Sequence, residues 1–124
     1  MNILIVDDHP TNLLLLKDLL ASRGYAVTAV DNGQDALQEV ARARPDLLLL
    51  DIQMPGLSGT EVLRVLRQAP ETRDLKVIAL TALAMSGDRE SILASGFDDY
   101  ISKPFKFAEL FATIARHLGS ETSV

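Results

Sequence analysis

Three short apolar runs mark the chain: Ile3 to Val6, Leu47 to Leu50 and Val77 to Leu80. None alternates with polar residues and each is too short for a helix, which predicts central parallel strands covered on both faces. Ala26 to Val30 and Phe97 to Ile101 add two weaker strands, the first alternating enough to lie toward a sheet edge. Between the runs the pattern changes to helices with recognisable ends. The first spans about Pro10 to Arg23, with Pro10 in its first turn and Gly24 as its stop. The second covers about Gln34 to Ala43, capped near Asn32 or Gly33. The third opens at Ser58, whose spacing to Glu61 is that of a capping box, and ends before Pro70. The fourth covers about Ser86 to Ser95 and stops at Gly96. The fifth places Phe107, Leu110, Phe111, Ile114 and Leu118 on one face.

Strand and helix thus alternate five times. Parallel strands joined by right-handed helical crossovers need helices on both sides, so the expected architecture is a three-layer α/β sandwich. With 124 residues, 48% of them apolar, the chain has material for one substantial core, and no linker or repeat divides it. A net charge of -5 argues against a general attraction to nucleic acid or anionic membrane. The absence of cysteine excludes disulfides and thiolate metal sites and fits a reducing compartment. No apolar run approaches the roughly 18 residues of a membrane span, and "MNILIVDD" lacks a positive leader. The expected setting is cytoplasmic.

Chemistry enters with the polar residues at the end of each run. Ile3 to Val6 leads into Asp7 and Asp8, Leu47 to Leu50 into Asp51, Val77 to Leu80 into Thr81, and Tyr100 and Ile101 into Ser102 and Lys103. In an open parallel sheet those ends share one edge, where ligands bind in the crevice at the reversal of strand order. Asp7, Asp8, Asp51, Thr81 and Lys103 are therefore expected in one pocket. At an effective dielectric near 20, two unit charges ~4 Å apart interact by roughly 4 kcal/mol, and one lysine offsets only part of the repulsion among three carboxylates. A hard divalent cation supplies the remainder, and carboxylates with a backbone carbonyl and waters suit Mg²⁺. No histidine is expected among these residues, which argues against Zn²⁺. A carboxylate beside Mg²⁺, a lysine and a hydroxyl is also suited to receive a phosphoryl group. Asp51 is the expected nucleophile, alone at the end of the most apolar strand, while Asp7 and Asp8 are better disposed as metal ligands.

The segments "ILIVDD" (Ile3 to Asp8), "LLLLDIQMPGLSG" (Leu47 to Gly59), "VIALTA" (Val77 to Ala82) and "DDYISKPF" (Asp98 to Phe105) resemble, in order and spacing, the receiver domain of two-component response regulators, the family that includes the chemotaxis protein CheY. Within it the chain is most similar to stand-alone DivK-like regulators and to receivers attached to hybrid histidine kinases. The resemblance implies a flavodoxin/CheY-like sheet in the order 2-1-3-4-5, with residues 1–118 as the receiver and 119–124 as a short tail. It implies that Asp51 takes a phosphoryl group from a phosphohistidine on a histidine kinase or phosphotransfer protein. It further implies that Asp8, Asp51 and the Gln53 carbonyl hold Mg²⁺ with Asp7 assisting, and that Thr81 and Lys103 contact the phosphoryl oxygens. A cis Lys103–Pro104 peptide and Tyr100 as partner of Thr81 in a switch complete the pattern. Output would pass through the fourth helix, fifth strand and fifth helix, a surface that includes Arg89, Glu90, Lys106 and Glu109.

Other residues have plainer expectations. Asp98 and Asp99 read as exposed turn residues, His9 as a solvated loop residue and His117 as a favourable charge at a helix C-terminus. Phe107 and Phe111 read as core, and Met54 and Pro55 as loop shape. Gln53 and Leu83 border the pocket. A flavodoxin-like electron carrier needs a Ser/Thr/Gly-rich phosphate loop where this chain has "DDHPTN". A phosphatase of the haloacid-dehalogenase type needs a second Asp two residues after its nucleophile on the first strand, where His9 stands.

Overall fold

The apolar runs divide their side chains between the two faces of one parallel sheet. In β1 (Asn2–Val6), β3 (Leu47–Asp51) and β4 (Lys76–Thr81), Leu4, Val6, Leu48, Leu50, Val77 and Ala79 enter one core cluster. Ile3, Ile5, Leu47, Leu49, Ile78 and Leu80 enter the other. Successive strand residues point to opposite faces, so an unbroken apolar run is what a strand buried on both sides requires. This computed structural model describes residues 1–82, 86–103 and 106–118, without the side chains of 86–89. Leu83, the Lys103–Pro104 peptide, Phe105, the Arg89 side chain and the tail 119–124 lie outside the described residues.

The sheet order is β2 (Ala26–Val30), β1, β3, β4, β5 (Asp99–Ser102), with every pairing parallel. As expected, β2 lies at an edge, and none of its side chains is fully buried. The first cluster is covered by α2 (Gly33–Arg42), α3 (Gly59–Gln68) and α4 (Ser86–Ala94) through Ala36, Val40, Val62, Leu63, Leu66 and Ile92. The second is covered by α1 (Pro10–Ser22) and α5 (Phe107–Leu118) through Leu16, Leu20, Leu110 and Ile114. These are the three layers that the alternation predicted.

Local chemistry sets the helix ends. Asn32 caps α2, its side chain accepting the Asp35 amide at 2.8 Å. Ser58 and Glu61 close both bonds of the capping box at α3. Gly24, at φ +90°, lets the chain leave α1 in the left-handed region that glycine occupies without a Cβ penalty. Gly59 matters for a different reason. A Cβ there would lie 2.2 Å from the Asp51 carbonyl oxygen and 2.7 Å from Ile52 Cα. The start of α3 is thereby pressed against the end of β3.

Several expectations need correction. The fifth strand begins at Asp99 rather than Phe97, because Phe97 is buried in the first cluster and Asp98 turns aside. Asp98 and Asp99 are not exposed turn residues. Asp98 accepts from the Val77 amide at 2.8 Å and from Arg67 Nη2 at 3.0 Å, while Asp99 meets Arg116 Nη2 at 2.7 Å and His117 Nε2 at 2.9 Å. Phe107 is 52% exposed, since it opens α5 before the helix reaches the sheet. Phe111 packs against the second cluster and carries the Arg23 guanidinium 3.8 Å from its ring centre. Met54 is core rather than loop shape alone, only 8% exposed. Among the described residues no helix is long and apolar enough to cross a membrane.

Gly59→Ala forces a methyl into backbone atoms that have no flexible end to move. It is expected to lower unfolding free energy by about 1–3 kcal/mol or more in chemical denaturation. Unchanged stability would show that α3 does not need this close approach.

Candidate functional site

Asp7 follows β1, Asp51 ends β3, Thr81 ends β4 and Lys103 follows β5, so their positions share the carboxyl edge of the sheet. Strand register holds them level: Asp51 lies opposite Leu80, and Thr81 lies opposite Ser102. The Lys103 amide donates to the Thr81 carbonyl at 2.8 Å, extending that ladder beyond β5. The Lys103 Nζ lies 3.0 Å from Asp51 Oδ2 and 3.0 Å from Asp7 Oδ2. One ammonium therefore joins acids from two strands. Asp7, Asp51 and Thr81 are buried.

Further bonds orient each acid. The Gln53 amide donates to Asp51 Oδ1 at 3.0 Å, and the His9 amide donates to Asp7 Oδ1 at 2.9 Å. Asn12, in the first turn of α1, reaches Asp7 Oδ2 at 3.5 Å. Nothing in the local pattern singled out Asn12; only the pitch of α1 above the strand end brings it there. Gln53 is itself exposed beside the acids, and Tyr100 is half-buried against the first core cluster.

The acids differ electrostatically. Burial pushes the Asp7 carboxyl upward, yet the His9 amide and the Lys103 ammonium outweigh it and hold it below the usual value. Burial pushes Asp51 up; Lys103 and the Gln53 amide oppose the shift, the nearby Asp7 charge adds to it, and the outcome is raised. Burial also disfavours charged Lys103, but its bonds to Asp51 and Asp7 raise it overall. Asp8 completes the cup differently: its Oδ1 is buried and has no hydrogen-bond partner among the described residues. A buried carboxylate oxygen lacking a donor is costly alone and well placed for a cation.

One ligand atom from each of Asp7, Asp8, His9 and Asp51 lies within 4.8 Å of the others. This corrects the expectation that no histidine belongs to the pocket. His9 Nδ1 sits 3.2 Å from both Asp7 Oδ1 and Asp8 Oδ1, because its position as N-cap of α1 turns the ring back over the strand end. The donor set is rich in hard oxygens and short of positive charge, a fit for a divalent cation.

Residues 3–115 match the response regulator receiver domain family. The chain belongs to that family. Over 118 residues this receiver is 42% identical to the polar-differentiation response regulator DivK of Brucella anthropi, covering 95% of this chain and 96% of that protein. It is also similar to the receiver domain of a Pseudomonas aeruginosa sensor histidine kinase, with a magnesium ion coordinated in its active site cleft. That likeness has 42% identity and a TM-score of 0.87 over 96% of this chain and 98% of that one. The response regulator TrrA of Thermotoga maritima, in complex with Mg(2+)-BeF, gives 38% identity and a TM-score of 0.83 over 94% and 98% of the two chains. The receiver is a phosphoacceptor of two-component signalling rather than a turnover enzyme, and neither the flavodoxin nor the phosphatase alternative survives.

The two opposed shifts predict opposite stabilities in metal-free buffer. Asp51, raised above the ordinary 3.8, destabilises the fold once ionised, so Asp51→Asn is expected to raise the melting temperature at neutral pH. Asp7, held below 3.8, stabilises when ionised, so Asp7→Asn is expected to lower it. Each kcal/mol corresponds to about 4 °C for a domain of this size. The Asp51 difference disappears on acidification below its unfolded value, and the Asp7 contribution is lost as pH falls through its depressed folded value. Melting curves of the two variants shifting in the same direction would contradict this assignment.

Proposed function

We propose that this receiver is a single-domain response regulator in which Asp51 accepts a phosphoryl group from a phosphohistidine of a histidine kinase or phosphotransfer protein. The observation that carries the assignment is the Lys103 ammonium at 3.0 Å from Asp51, facing a cup with a buried Asp8 oxygen that accepts no hydrogen bond from the described residues. In the transfer, an Asp51 carboxylate oxygen forms the new P–O bond as the P–N bond to the donor imidazole breaks. Lys103 then serves an incoming phosphoryl oxygen, and the Gln53 amide keeps the acceptor carboxylate oriented. Asp8, Asp51 and the Gln53 carbonyl would hold Mg²⁺, with Asp7 assisting. When bound, that ion neutralises charge on the phosphoryl oxygens.

Transfer adds about -1.5 to -2 charges and strong acceptor oxygens beside Thr81. In this reading the Thr81 hydroxyl moves toward them, Tyr100 turns into the space released, and the population shifts to a second arrangement of α4, β5 and α5. Glu90, Lys106 and Glu109 are exposed on that surface, as an output face requires. A second reading has one observation in its favour: identity to the kinase-attached receiver equals that to DivK, 42% in each case. On that reading the chain works as a relay within a hybrid kinase.

Incubation with acetyl phosphate and Mg²⁺ is expected to add one phosphate by intact mass, and Asp51→Ala or chelation with EDTA to abolish it. Undiminished labelling of Asp51→Ala would remove Asp51 as the acceptor.

A further inference from the structure

We infer that His9 is an imidazole ligand built into the metal cup, giving this receiver an affinity for Zn²⁺-class ions that the oxygen donors alone do not supply. The inference rests on the cup being a divalent-cation site. His9 Nδ1 is 3.2 Å from Asp7 Oδ1 and 3.2 Å from Asp8 Oδ1. Those separations are what two ligands of one ion show. With metal–ligand bonds of about 2.1 Å, neighbouring donors lie about 3.0 Å apart at a right angle and about 3.4 Å apart at the tetrahedral angle.

A proton accounts for only one of these two contacts. His9 Nδ1 is hydrogen-bonded to Asp7 Oδ1, which also accepts the His9 amide, whereas buried Asp8 Oδ1 accepts no hydrogen bond from the described residues although the same ring nitrogen is equally near. The imidazole is also free of helix duty, since His9 occupies the N-cap of α1 without a side-chain capping bond. Its side chain is 65% exposed, so an ion arriving from solvent meets Nδ1 without rearrangement of the core. Mg²⁺ is served by the carboxylates, whereas a neutral imidazole nitrogen favours zinc, nickel, copper and iron. His9 thus sets which ion the cup prefers, and with it the conditions under which Asp51 can be phosphorylated.

Calorimetric titration of the full chain with MgCl₂ and with ZnCl₂ tests this in the wild type, His9→Ala, His9→Gln and Asp8→Asn, together with ¹⁵N NMR of the imidazole rings. Both His9 variants are expected to weaken Zn²⁺ on the order of tenfold or more while keeping Mg²⁺ within about threefold. Asp8→Asn is expected to weaken both ions. In the wild type, Zn²⁺ is expected to shift a ring nitrogen resonance that is missing from His9→Ala, leaving His117 in place. Equal Zn²⁺ affinity with and without His9, or an unmoved His9 resonance, overturns the inference while intact Mg²⁺ binding preserves the cup. Failure of the wild type to bind Mg²⁺ overturns the cup itself. The NMR readout on the wild type does not depend on any variant folding.

Discussion

A single ammonium shared by two buried carboxylates is the constraint around which this receiver is organised. Lys103 reaches Asp7 and Asp51 at equal distances, although the acids belong to different strands and Lys103 follows a third. Without it the edge of the sheet would hold like charges in a poorly solvated place. With it, the charge is still incomplete, and the buried Asp8 oxygen accepts no hydrogen bond from the described residues. The site is poised rather than neutralised: held together enough to fold, and short enough of positive charge to draw a cation.

That poise depends on backbone placement far more than on side-chain reach. Parallel register carries each strand end to the same level, and the Lys103 amide continues the ladder onto Thr81. Gly59 lets α3 begin against the Asp51 carbonyl, with the Ser58 and Glu61 box holding the turn. Asp51 therefore ends a strand with its backbone carbonyl against a helix terminus, both rigid, so the position of its carboxylate is settled before any ligand arrives.

Polar ties away from the acidic cup fasten the starts of β4 and β5. Arg67 donates to the carbonyls of Arg73, Leu75 and Gly96 and to Asp98, joining the end of α3 to the segments entering β4 and β5. Asp99 holds Arg116 and His117, clasping the end of α5 to the start of β5. Burial works against the Asp99 carboxylate, but His117, Arg116 and the Tyr100 amide outweigh it and lower it. Tyr100 lies directly after this clasp, so a turn of its ring would act on an element fastened at one end.

Read alone, the sequence determined the layer architecture, because strands buried on both faces must be apolar without alternation and the helices between them carry their own start and stop residues. It also determined which chemical groups stand at the strand ends, and the family motifs ordered them. Only the tertiary structure decided the neighbours. It turned His9 back over Asp7 and Asp8, brought Asn12 to Asp7, buried Met54, left Phe107 in solvent and supplied Asp98 with an arginine 31 residues away. The physical reason is that periodicity reports the surface a residue must cover. The charge and hydrogen bonds it meets there come from segments whose separation along the chain carries no local signal.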